Sequence, residues 1–206
     1  MMREGLRAVV NREPDMMVCG EVENAAQALL AIPKLTPDLA LVDVTLPGKS
    51  GMELVKDLKA LHPGVAVLGL SMHDESLYAE RMLRAGAGGY ISKQQPPAEL
   101  VRAIRQVLDN QVYVSKEVSE SLLRRFSGKP AAHPSPLEIL TDREFEIFQL
   151  IGEGKSPKEI ARLLHVSAKT VAVHNANIRE KLNLPSTARL IRFAVQCESP
   201  NDRPRD

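Results

Sequence analysis

The 206-residue chain has little cysteine, no long apolar run and no surplus of one charge, and each lack narrows what it can be. Its two cysteines, Cys19 and Cys197, lie far apart and outside any CxxC or histidine-rich spacing. That argues against a disulfide framework or a zinc site and leaves two free, buried thiols as the expectation. No apolar stretch approaches the roughly 20 residues that span a bilayer. The opening Met1-Met2-Arg3-Glu4 also lacks the apolar core of a signal peptide. A cytoplasmic protein with no membrane partner is expected. The formal net charge is +1, from 27 Lys and Arg against 26 Asp and Glu. Twelve basic residues face fourteen acidic ones up to Asn110, and nine face eight from Leu137 to Glu198, so nucleic-acid binding by the C-terminal part cannot rest on a large cationic surface. No internal repeat or low-complexity tract stands out.

What is present divides in two. Up to about Asn110, short β-branched runs alternate with helical patterns, which reads as βα units on a parallel sheet. Helices are predicted at Arg3 to Arg12, Ala25 to Ala31, Met52 to Leu61, Glu75 to Ala85 and Ala98 to Asn110. Strands are predicted at Met17 to Glu21, Leu39 to Val42, Val65 to Leu70 and Gly89 to Ile91. Pro37, Pro63 and Pro97 stand at element starts. From 111 to 136 the periodicity weakens into a Pro/Ala/Ser stretch, read as a linker with one short helix at Glu117 to Phe126. Residues 199–206 read as a disordered tail.

From Leu137 to Glu198 the pattern is wholly helical. Thr141-Asp142-Arg143-Glu144 is a capping box opening a helix with Phe145, Phe148 and Ile151, and Gly152 and Gly154 end it. Ser156 caps a second helix with Pro157 at its first position, Ser167 caps a third from Ala168 to Leu182, and a fourth runs from Thr187 to Gln196. The second and third, joined by His165-Val166-Ser167, have helix-turn-helix spacing, which sends the later helix into a DNA major groove. Val171, Ile178 and Leu182 make its apolar stripe. Lys169, Thr170, Val173, Asn177 and Lys181 lie off the stripe as groove or phosphate contacts, with the free amides of Ser167 to Thr170 suited to a phosphate. A solvated helical bundle would show similar spacing.

Leu140-Thr141-Asp142-Arg143-Glu144, Ile151 to Gly154, Ser156 to Ala161 and Ser167 to His174 resemble the four-helix DNA-binding domain of LuxR-type regulators. The resemblance implies DNA contacts from Ser156, Lys158, Ser167, Lys169, Thr170, Ala172, Val173, His174, Ala176, Asn177 and Lys181. The family often carries Lys at Ala172 and a basic residue at Asn175. This chain has neither, which implies weaker monomer affinity and binding as a homodimer. Ala172 and Ala176 can offer only apolar contact, as to a thymine methyl.

In the N-terminal part, Asp43 ends the apolar run Leu39-Ala40-Leu41-Val42, which delivers a carboxylate to the C-terminal lip of a parallel sheet, where ligands bind. Leu41-Val42-Asp43, Leu46-Pro47-Gly48, Leu70-Ser71 and Ala85 to Lys93 resemble the receiver domain of response regulators. With the C-terminal half, the chain resembles the NarL/FixJ class of two-component transcription factors. The resemblance implies an α/β receiver, flavodoxin-like and doubly wound, followed by the all-α helix-turn-helix domain. It also implies that Asp43 accepts a phosphoryl group from a sensor histidine kinase with Mg2+ bridging. Lys93 would be the fixed cation, Ser71 would offer its hydroxyl to a phosphoryl oxygen, the backbone carbonyl of Thr45 would be a metal ligand, and Tyr90 would swing inward as a switch. Singly, Asp43 reads as a turn residue, Ser71 as a helix cap and Lys93 as a loop lysine.

Receivers begin with a strand ending in the acids that hold the metal, and nothing before Asp43 supplies it; the first element here is a helix carrying Glu4. Such a strand lies mid-sheet, so its lack would leave a gap of about twice the ~4.8 Å strand spacing. A start upstream of Met1, or a degenerate receiver, is expected, with slow or undetectable labelling by a small phosphodonor. The leading reading is a phosphorylation-controlled, non-enzymatic transcription factor. A phosphorylation-independent regulator that dimerises through its first domain is the alternative. An adaptor without DNA affinity and an aspartyl-phosphate phosphatase are remoter; the latter needs a second Asp where Thr45 stands.

Overall fold

The computed structural model describes residues 2–71, 75–126 and 136–198. The chain forms two compact units, Met1–Lys129 and Pro130–Asp206.

In the first unit the alternation of apolar runs and helical patterns becomes a parallel sheet of β1 (Leu39–Asp43), β2 (Ala66–Ser71) and β3 (Gly89–Ser92), in the order β1-β2-β3. The register sets Asp43 beside Leu70 and Ser71 beside Ser92, so the three strand ends are level. Helices α1 (Met2–Val10), α2 (Ala25–Leu35), α3 (Gly51–Leu61), α4 (Glu75–Ala85), α5 (Pro97–Leu108) and α6 (Lys116–Phe126) complete the unit. On one face, Leu68, Leu70 and Ile91 pack with Val10 of α1 and with Leu100, Ala103, Ile104 and Val107 of α5. On the other, Gly69 leaves room for Met82 of α4 and the ring of Tyr90. Each large apolar side chain so buried contributes about 1.5–3 kcal/mol.

Four expectations need correction. Met17 to Glu21 is not a strand: among the described residues it pairs with no sheet edge, and its contacts run to α1 and the turn after it. The Val18 amide donates to Asn11 Oδ1 at 2.8 Å, and Arg3 holds the Val22 carbonyl and Glu23. β1 is therefore an edge strand among the described residues, half-buried where β2 is buried.

The folded unit also runs past Asn110. The Tyr90 amide donates to the Tyr113 carbonyl at 2.8 Å, and α6 packs against α4, with Val118 buried. Only residues 127–135 of the expected linker, and the tail 199–206, lie outside the described residues. The third correction concerns the thiols. Cys19 is exposed, whereas Cys197 is half-buried and burial pushes its thiol up. Helix α2 outruns its expected end at Ala31 despite Pro33, and it closes with the Thr36 amide on the Ile32 carbonyl.

The second unit follows its capping signals. After a 3-10 turn at Pro136–Ile139 come α7 (Asp142–Gly152), α8 (Pro157–Leu163), α9 (Ala168–Lys181) and α10 (Thr187–Glu198). Thr141 and Ser156 both form reciprocal capping boxes, with Glu144 and Glu159, and the Ser167 hydroxyl accepts from the Thr170 amide. Helix α7 is buried from Glu144 to Ile151 without a break, so it is the spine of the domain. Phe148 meets Phe193 of α10 edge-on, with centroids 5.8 Å apart. The spine carries Glu144 and Glu146 into the interior with it.

Candidate functional site

The C-terminal lip of the sheet gathers one constellation. Asp43 ends β1 and Lys93 follows β3, and the Lys93 ammonium pairs directly with Asp43 Oδ2. The lysine side chain is only 9% exposed, while that of Asp43 is 36% exposed. A solvent-reachable carboxylate is thus held against a buried, fixed cation. The turn after Asp43 is tied to it, since the Thr45 amide donates to Asp43 Oδ1 at 3.1 Å. Gly51 opens α3 so close to the strand end that a Cβ there would lie 2.0 Å from the Asp43 carbonyl oxygen. Only glycine lets the capping box of Ser50 and Glu53 press against this lip.

Ser71 ends β2 with its side chain buried, and the Lys93 amide donates to the Ser71 carbonyl at 2.8 Å. Tyr90 is buried at 1% exposure, packed over Gly69 beside Met82. Its ring is turned inward in this structure. The sheet therefore brings Asp43, Ser71 and Lys93 to one edge from positions up to 50 residues apart.

Receiver domains typically work with Mg2+. Among the described residues no three His, Cys, Asp or Glu side chains converge on a point that could hold a metal ion. Mg2+ is bound through one or two carboxylates and completes its octahedron with waters and phosphate oxygens, and the solvent-reachable Asp43 carboxylate is a donor of that kind.

The second constellation is a face of α9. Lys169, Ala172, Val173, Ala176 and Asn177 are exposed along one side, with Ser167 exposed at its N-terminus and Thr170 and His174 half-buried at its margin. Val173 is 52% exposed, an apolar group held out to solvent. Ser156 and Lys158 are exposed at the start of α8. Lys181, expected on the reading face, instead places its ammonium on Glu144 Oε2 at 2.6 Å.

Motif spacing did not expose the buried partners of this unit. Arg143 pairs with Glu146 at 2.6 Å and donates to the Leu164 carbonyl at 3.1 Å. A usable signal was present: Glu146 stands between Phe145 and Ile147 in a largely apolar helical stretch.

These geometries coincide with known families. Residues 1–105 match the response regulator receiver domain, and residues 138–194 match the bacterial regulatory proteins of the luxR family. The chain belongs to the response regulators that join a receiver to a LuxR-type DNA-binding domain. It is a two-component protein of transcription regulation.

It is similar to the oxygen regulatory protein NreC of Staphylococcus epidermidis, with 33% identity over 202 residues covering 95% of this chain and 93% of that protein. A LuxR-family two-component response regulator from Aurantimonas sp. SI85-9A1 is 32% identical, with a TM-score of 0.57 over 61% of this chain and 90% of that one. RcsB from Salmonella enterica serovar Typhimurium, solved bound to a promoter with a phosphomimetic, shares the fold at 24% identity and a TM-score of 0.61, covering 93% of this chain and 92% of that one. Among the described residues no helix is long and apolar enough to cross a membrane.

Proposed function

We propose that Asp43 is the phosphoacceptor of this regulator and that the exposed face of α9 reads the major groove of promoter DNA as a homodimer. The Lys93–Asp43 contact carries the first part. An Asp43 oxygen attacks the phosphorus of a sensor kinase phosphohistidine, the new P–O bond forms as the P–N bond breaks, and the imidazole leaves as the neutral ring after protonation. Lys93 supplies fixed positive charge for the phosphoryl oxygens, and Ser71 offers them a hydroxyl. Its position next in register to Ser92 couples that hydroxyl to β3, where Tyr90 lies.

DNA reading is supported by the luxR-family match and by the solvent-facing Lys169, Ala172, Val173, Ala176 and Asn177. Ser167 and Thr170 lie at the N-terminus of α9, whose free amides suit a phosphate, Ser156 and Lys158 are exposed at the start of α8, and His174 borders the face. With only one basic side chain, Lys169, on that exposed run, two half-sites are needed to add their contacts, and the fold is shared with a protein solved on promoter DNA.

The acceptor is tested by incubating the full chain with a small acyl phosphate, with and without Mg2+, and locating the added phosphoryl mass by peptide mapping. The label is expected on Asp43, slowly acquired, and absent from Asp43→Asn. A label that persists in that variant would sink the assignment. An unchanged promoter response in Asp43→Asn would instead favour regulation independent of phosphorylation.

A further inference from the structure

Helix α9 buries two apolar side chains fully, Val171 and Ile178, two turns apart on one line, and packs against α7, α8 and α10. A helix of 14 residues is about 21 Å long. Polar contacts from the first turns of α7 fix it at its C-terminal end and at the turn that leads into it.

At the C-terminal end, Lys181, the last residue of α9, donates to Glu144 Oε2 at 2.6 Å. Near the N-terminal end, Arg143 donates to the Leu164 carbonyl at 3.1 Å and is itself held by Glu146 at 2.6 Å. Leu164 caps α8 and is followed by His165 with φ of 52°, the left-handed residue that makes the turn toward α9. Glu144 and Glu146 are 3% and 1% exposed and the Arg143 side chain 11%, so the Arg143–Glu146 contact lies out of water, where hydrogen bonds are strong and geometry is exacting, while Lys181, with its side chain 36% exposed, meets its buried carboxylate at the solvent edge.

We infer that Arg143, Glu144 and Glu146 are positioning residues for DNA reading, and that Lys181 is a brace holding the recognition helix at its working angle rather than a phosphate contact. The inference rests on the reading of α9 as the DNA-facing helix. The two roles of Lys181 predict opposite results for its partner. If Lys181 reached a phosphate, removing the charge of Glu144 would release it for DNA and leave binding intact or tighter. If Lys181 is a brace, losing either partner loosens α9 alike.

Glu144→Gln isolates the charge, because Gln also closes a capping box with Thr141. The full chain first enriches duplexes from a random-sequence library. Its affinity for a labelled enriched duplex is then measured against salt for Glu144→Gln, Lys181→Gln, their double variant and Lys181→Arg.

The brace predicts that each Gln variant weakens binding about tenfold. The double variant should be no worse than either, the salt slope unchanged, and Lys181→Arg close to the parent. A salt slope reduced by about 1.8 in the Lys181→Gln homodimer, about 0.9 for each lost phosphate contact, with tight binding by Glu144→Gln, would overturn it. Should Glu144→Gln unfold at the assay temperature, the slope of Lys181→Gln and the recovery in Lys181→Arg decide alone. A parent chain that enriches no duplex would overturn the DNA-reading assignment, and the brace with it.

Discussion

The two units place their working groups by different physics. In the first, hydrogen-bond ladders between strands set Asp43, Ser71 and Lys93 level at one lip, and most ion pairs lie at the surface, as Arg105 does with Glu13 and Asp15. Surface pairs contribute little, because water and salt screen them. In the second, one helix presents the exposed face, and its seating depends on two carboxylates sunk in a helical interior. The sheet tolerates the loss of a surface charge; the helical unit does not tolerate the loss of a buried one.

The contrast can be broken at its strongest point first. Glu146→Ala leaves the Arg143 guanidinium, 11% exposed, without its carboxylate. A loss of about 3–5 kcal/mol is expected for the second unit. Hydrogen exchange should show lowered protection in α7 to α10 and none lowered in β1 to β3. Equal loss in both units would mean that they do not differ as described.

Next in size is Gly51→Ala, whose Cβ must displace the Asp43 backbone. It should destabilise the first unit by about 1–3 kcal/mol. Labelling at Asp43 should fall with it, whereas an unperturbed melt with full labelling would show that the lip is less tightly built.

Acid sharpens the comparison from the other side. Burial pushes the Glu144 carboxyl up, but the hydrogen bonds from Lys181 and Thr141 prevail and hold it below its ordinary value of 4.5. Its contribution is therefore fully present above about pH 4.5 and is lost as pH falls through the depressed folded value. Acid unfolding of the parent, followed through α7 to α10, should steepen in that window, and Glu144→Gln should flatten it.

The smallest effects belong to the caps. Ser50→Ala in α3 and Thr141→Ala in α7 each remove one side of a capping box and should cost about 1 kcal/mol in their own unit. Denaturant titration with a reporter in each unit separates the two.

Local signals made much of this legible. The capping boxes at Thr141 and Ser156, the prolines at element starts and the apolar run into Asp43 are written in neighbouring residues, and the corresponding elements form close to where those residues put them. Met17 to Glu21 shows the limit. Its composition suits a strand, but a strand exists only if an edge receives it, and here the Val18 amide is held by Asn11 and the Glu21 carboxylate by Arg7 instead. Likewise, nothing in the weak periodicity after Asn110 foretells that Tyr113 pairs with β3 or that α6 covers α4.

The sequence by itself determined the two-part plan, the helix termini and the residue types at the strand ends, because caps, turns and periodicity act within a few residues. Only the tertiary structure decided that Lys93 meets Asp43 and that Lys181 turns from the exposed face of α9 to Glu144. Those contacts join residues 50 and 37 apart, and no local rule chooses between partners at such separations. Burial makes the choice, since a charge carried out of water must be met by its opposite.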